Sequence, residues 1–167
     1  MTVLGILRDN QLYVKKSKCA FAQMKVDYLG YTITDKGISM DDSKINNILQ
    51  WLVPQSVKEL RGFLKLTGYY KRFIKHYGLV YKSLTELLKN DNFKWNIHAQ
   101  ASFNHLKKLM CLAPVLKLPE FKKAFVVKTN VSGRGIGAVL MQEGQPITFL
   151  SKALSMKNLG LSVYEKE

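Results

Sequence analysis

The chain has 167 residues, room for one domain or two small ones, and 26 Lys and Arg stand against 12 Asp and Glu, a net charge of +14. Such an excess points to a polyanionic partner, nucleic acid first. Cys19 and Cys111 are far apart with no CxxC pairing, so neither a disulfide framework nor a zinc site can be argued from them, and two free thiols are expected.

Taken in chain order, "MTVLGILRDNQLYV" meets Arg8 and Asp9 too early for a signal-peptide core. No apolar run reaches the roughly 20 residues of a membrane span. A soluble, intracellular chain, cytoplasmic or nuclear, is expected. "LYVKKSKCAF" and "VDYLGYTIT" alternate like strands, Asp35-Lys36-Gly37 reads as a turn, and "GISM" as a strand extension. Asp41, Asp42 or Ser43 then offers a cap for a helix bearing Ile45, Ile48, Leu49 and Leu52 on one stripe, stopped by Pro54.

"SVKE" is a capping box, Ser56 with Glu59. The helix behind it should run to about Ile74, with a break near Gly68. Leu60, Phe63, Leu64 and Thr67 form one apolar side; Leu66, Tyr70, Phe73 and Tyr77 form a second. Lys58, Arg61, Lys65 and Arg72 share a further face. Glu59 is the one acid between Ser56 and Tyr77, whereas a face that is merely solvated usually mixes signs. These four cations, with Tyr69 and Tyr70 near sugars or bases, are the candidate nucleic-acid contacts.

"LVYKSLTELLK" makes a third helix, and "KNDNFKW" a polar turn with an aromatic pair. "IHAQASFNHLKKLMC" makes a fourth helix with Ala101, Phe103, Leu106, Leu109 and Met110 inward. "APVLKLPEFKK" reads as an extended connector. From Phe125 to Leu154 the pattern is strand, tight turn, strand, turn, strand; "GRGIG" lies between two strands, so it is a hairpin turn and not a phosphate loop. "LSMKNLGLSVYEKE" turns toward one more helix, whose Val163, with Ile136, Ala138 and Leu140, needs a packing partner. His76, His98 and His105 have no metal-ligand spacing, and Asp41-Asp42 is explained by capping. The order is α+β: a small β piece, a helical segment, a second β piece.

"YLGYTIT", "ELRGFLKLTGYYKRFI", "APVLKLP" and "SGRGIGAVLMQ", in this order, closely resemble the Pol polyprotein of gypsy-class long-terminal-repeat retrotransposons, and the likeness runs through essentially the whole chain. The resemblance implies the end of a reverse transcriptase palm over 1–40, thumb and connection helices over 41–118, and a truncated RNase H-like mixed sheet over 119–167. It also implies two-metal phosphoryl transfer with Mg2+ or Mn2+ in the parent family. The polymerase carboxylates of that family sit in a Y-x-D-D-type motif, which this sequence does not contain. At the first RNase H strand the family pattern is T-D-A-S-G. Here it is Thr129-Asn130-Val131-Ser132-Gly133, so Asn130 stands at the first metal aspartate. The glutamate of the family's K-E-L pattern maps onto Glu167. A neutral amide cannot balance two divalent cations, so no metal is expected in this chain and no catalysis from it alone. The thumb departs too: the family's "FLGL" glycine is Lys65 here.

The expected function is weak, salt-sensitive binding to DNA or an RNA–DNA hybrid, beside other polyprotein segments and with no membrane partner. The alternatives are a hybrid nuclease completed by other sequence, and a non-enzymatic module that binds a protein.

Overall fold

A computed structural model of the chain describes residues 2–15, 17, 19, 21–89 and 93–155. Helix α1 (Val3–Asp9) comes first, followed by an antiparallel sheet of β1 (Lys25–Tyr28), β2 (Tyr31–Thr34) and β3 (Gly37–Met40). Helices α2 (Asp42–Leu49), α3 (Val57–Tyr69), α4 (Tyr77–Thr85) and α5 (Ile97–Cys111) follow, with short 3-10 turns after α3 and α4. A second antiparallel sheet of β4 (Val126–Val131), β5 (Gly135–Gln142) and β6 (Gln145–Ala153) closes the described chain.

The first hairpin is fixed by its turn. Tyr28 pairs with Tyr31, and Leu29 (φ 50°) and Gly30 (φ 80°) both take the left-handed conformation that a two-residue type I′ loop requires. Gly30 is needed twice over: a Cβ there would stand 2.6 Å from the Tyr70 hydroxyl, which donates to the Gly30 carbonyl at 3.0 Å. The turn Asp35-Lys36 then joins β2 to β3, as the sequence implies. The strand expected over "LYVKKSKCAF" is absent from residues 12–15, where Tyr13 is fully exposed. Alternation makes a strand only where a neighbouring strand accepts its hydrogen bonds, and none lies there among the described residues.

Both helix caps read from sequence are made. Asp41 accepts from the Ser43 amide at 2.7 Å, and Ser56 Oγ from the Glu59 amide at 3.3 Å. The Glu59 carboxylate reaches back to the Gln55 amide at 2.8 Å, one residue before the position a strict capping box uses. Helix α2 stops at Leu49, not at Leu52, and Leu52 is exposed. Pro54 restricts the chain ahead of it, and Lys107 of α5 takes the freed carbonyls of Leu49 at 2.9 Å and Trp51 at 2.5 Å. Lys107 also lies over the Phe103 ring, 4.6 Å from its centre, and burial lowers its pKa. The break in the long helix falls at Tyr70, where the chain tightens into the turn Lys71–Phe73.

The core gathers Met40, Ile48, Leu60, Phe63, Leu64, Phe73, Leu84, Phe103, Leu106 and Met110 between the first sheet and α2–α5. On α5 the inward face is Ala99, Phe103, Leu106 and Met110; Ala101, expected inside, is exposed. The connector after α5 is extended, and it also pairs: Ile38 and Leu116 exchange both backbone hydrogen bonds at 2.8 Å, adding a rung to the edge of β3.

Gln142 holds the rest of that connector. Its amide is fully buried; it accepts from the Glu120 amide at 2.9 Å and donates to the carbonyls of Glu120 at 2.8 Å and Lys123 at 3.1 Å. Outside it, Lys117 and Lys123 both pair with Glu143, and these two lysines, Lys117 first, hold its carboxyl below the usual range. Both of these surface pairs contribute little beside the buried amide. Gln142→Leu keeps the volume and removes three hydrogen bonds, which should cost about 1–3 kcal/mol. Limited proteolysis should then cut first between Lys117 and Lys123; an unchanged digest and urea midpoint would show that the amide does not anchor the connector.

Helix α4 packs on β6. The Gly78 amide donates to Ser151 Oγ at 3.1 Å, and a Cβ at Gly78 would stand 2.8 Å from the Ser151 carbonyl oxygen, so glycine sets the approach. Lys82 donates to the Leu154 carbonyl at 3.0 Å. This contact places the loop ahead of α4 in front of β4 and β5.

Candidate nucleic-acid interface

Two surfaces carry the residues singled out in the sequence. The first is the outer face of α3. Lys58, Arg61 and Lys65 are all exposed along it, and Arg72 is exposed in the turn beyond. Lys58 and Lys65 stand about 10 Å apart along the axis at helical rise. Leu60, Phe63, Leu64 and Thr67 are buried on the opposite side, so the two faces separate as their spacing implies. Glu59, the one acid of the helix, is held by the Gln55 amide.

Tyr69 lies in line with these cations. It is half exposed, its ring is stacked on Tyr31 at 5.3 Å, and its hydroxyl donates to the Leu29 carbonyl at 2.9 Å. The ring is therefore held against the hairpin with one flank open to a ligand. Tyr70 is different. It is 1% exposed, packs edge-on to Tyr31 at 5.6 Å and hydrogen-bonds Gly30. The expectation that Tyr70 approaches sugars or bases is corrected: it is a core residue that ties α3 to the first hairpin. Tyr31, stacked on Tyr69 and on Phe73 at 5.8 Å, is pushed up to about 12 by burial and then by the neighbouring Tyr69 hydroxyl.

The second surface surrounds Asn130. It is exposed on β4, opposite Gly137 of β5, and opens into a pocket of about 240 Å3. Lys128 lies two residues earlier on the same strand, hence on the same face. Lys75 and His76, from the loop ahead of α4, line the pocket's other side. Sequence reasoning missed these three as neighbours of Asn130. Lys128 was legible from strand alternation; Lys75 and His76 were not, since their place depends on Gly78 docking against Ser151. Glu167 lies outside the described residues. Among the described residues no group of three His, Cys, Asp or Glu side chains converges, and no helix is long and apolar enough to cross a membrane.

The family model for the RNase H-like domain found in reverse transcriptase matches residues 95–167. The retrovirus-related Pol polyprotein of transposon 297 from Drosophila melanogaster is 38% identical over 96% of this chain, and that of transposon gypsy 34% over 99%. Residues 95–167 thus carry an RNase H-like domain of the reverse transcriptase type, and the homologues of the chain are Pol polyproteins of gypsy and other long-terminal-repeat transposons. The chain spans 15% and 17% of the length of those two relatives. It also covers 82% of the uncharacterized mitochondrial protein AtMg00860 of Arabidopsis thaliana, at 44% identity over 77% of the chain. In fold it matches the foamy viral protease–reverse transcriptase dRH in complex with double-stranded DNA, with a TM-score of 0.90 over 98% of the chain and 30% of that protein at 24% identity. The foamy viral protease–reverse transcriptase in complex with an RNA/DNA hybrid gives 0.83 over 90% of the chain and 21% of that protein, at 23% identity.

The Pol family resemblance implies a pair of divalent cations at the Asn130 strand. The described residues there do not fit them: the one polar side chain at the aspartate position is a neutral amide, and the charged groups lining its pocket are cations.

Proposed function

We propose that this Pol segment binds nucleic-acid duplexes through the outer face of α3 and does not hydrolyse them at Asn130. It would serve a polyprotein that copies RNA into DNA and degrades the RNA strand of the resulting hybrid. The observation that carries the reading is the single-signed face of Lys58, Arg61, Lys65 and Arg72 with Tyr69 alongside, backed by a helix whose other side is wholly buried. A rigid row of cations neutralises backbone phosphates without selecting sequence.

Four such contacts give a salt slope of about −3.6, so affinity for double-stranded DNA should fall roughly 150-fold between 50 and 200 mM salt. A fluorescence-anisotropy titration reads this directly, and a flat salt response would refute the proposal. With Mg2+ or Mn2+ added, an RNA–DNA hybrid should stay intact. Cleavage that Glu167→Gln abolishes would instead favour the hybrid-nuclease reading.

A further inference from the structure

We infer that the pocket in front of Asn130 is an anion site that takes a phosphate group, where the family resemblance implies a cation site. Three features of the pocket carry this. First, every charged residue that lines it is a lysine, Lys75 from the loop ahead of α4 and Lys128 from β4, and no Asp or Glu takes part. Second, the side chain at the decisive position is an amide. A carboxylate offers acceptors alone, whereas Asn130 adds two N–H donors, the groups that a phosphate oxygen needs. Third, Gly137 sits opposite Asn130 in the β4–β5 pair, so the directly cross-strand position contributes no side chain over the amide. His76 adds a ring N–H, and its backbone is fixed in the left-handed conformation at φ 60° just before α4. Val139 and Phe149, paired across β5 and β6, make the apolar wall.

The same substitution that disables cation binding therefore creates the complementary site. Asp at position 130 would have offset half of the charge of Lys75 and Lys128; Asn leaves both charges available to a ligand. In a duplex complex, that ligand is a backbone phosphate beyond the reach of α3, and this part of the inference rests on the duplex-binding reading. A free phosphate group would be recognised by the same chemistry.

The test uses the full chain labelled with 15N and inorganic phosphate as the probe. Saturable shifts are expected at the Lys128, Thr129, Asn130 and Gly137 amides, weakened at least tenfold in Lys75→Ala/Lys128→Ala and in Asn130→Asp. All of these residues but Gly137 are exposed, so the fold should survive the changes; a thermal melt checks it. Absence of phosphate shifts, or selective broadening of these amides by Mn2+ in the unmodified chain, would overturn the inference.

A second arm identifies the source. If the ligand is a backbone phosphate, the double lysine variant should lower the salt slope for double-stranded DNA by about 1, the loss of one phosphate contact. Phosphate shifts with an unchanged slope would assign the site to a free phosphate group. The arms also separate this inference from the duplex-binding reading. Replacing Lys58, Arg61, Lys65 and Arg72 by alanine should leave the phosphate shifts intact, whatever it does to duplex affinity.

Discussion

Reversing Lys58, Arg61, Lys65 and Arg72 together to glutamate should weaken binding to double-stranded DNA at 50 mM salt by at least about 100-fold, and flatten its salt dependence. The four side chains are exposed, and none takes part in a described ion pair, so folding loses little. The decisive control reverses the same number of exposed lysines elsewhere, for example Lys15, Lys36, Lys94 and Lys122. Both variants shift net charge equally. If attraction came from net charge alone, they would lose affinity equally. If the α3 face is the contact, the control should keep most of its affinity and its slope. Lys65 is the informative single site. The resemblance implies glycine there, which would let a helix approach a groove closely; on the proposed reading lysine would add one phosphate contact and hold the helix further off. Lys65→Gly should therefore lower the salt slope by about 1 while the remaining cations still bind. An unchanged slope would show that Lys65 faces solvent in the complex.

The α3 face was legible in the sequence because helical periodicity is local. Lys58, Arg61, Lys65 and Tyr69 fall on one side at 3.6 residues per turn whatever the helix packs against, and Ser56 with Glu59 fixes where the count begins. The later turns were legible for a similar reason, since Asp35-Lys36 and Glu143-Gly144 separate strands of alternating character, whereas the turn at Leu29-Gly30, inside a run read as one strand, was not. What stayed hidden depends on contacts between distant segments. Tyr70 stands on an apolar stripe in the sequence, but its exact role, a hydroxyl bonded to Gly30 forty residues earlier, has no local signature. Leu116 looked like part of a plain connector, since nothing near it announces that Ile38 supplies its partner. Gln142 reads as a surface amide at a strand end until the connector folds over it. The strand-like run at 12–15 failed for the complementary reason. Its pattern is right, but a strand is a property of a pair.

Phe63→Ala should be the most damaging single substitution, at about 3–5 kcal/mol, against a total stability of about 5–15 kcal/mol for a domain of ordinary size. Phe63 is fully buried and sits at the centre of an aromatic chain that crosses three segments. Its ring lies 4.6 Å from Phe103 of α5 and 5.9 Å, edge-on, from Trp51 after α2; Phe103 in turn meets Trp95 at 5.7 Å. These rings come from separate elements whose backbones are held by other contacts, including Lys107 on the carbonyls of Leu49 and Trp51. They cannot all move inward to fill the space, so most of the cavity should persist. Phe63→Leu, which refills part of it, should recover about half the loss. Urea melts measure both, and a loss near 1 kcal/mol for the alanine variant would mean that the three segments close up freely. The variant also probes how binding depends on the core, because Phe63 and the cations occupy opposite sides of one helix. Below its melting range, the folded fraction of Phe63→Ala should bind DNA with unchanged affinity and salt slope. A weakened folded fraction would instead show that the rings set the orientation of α3, and with it the line of cations that a duplex meets.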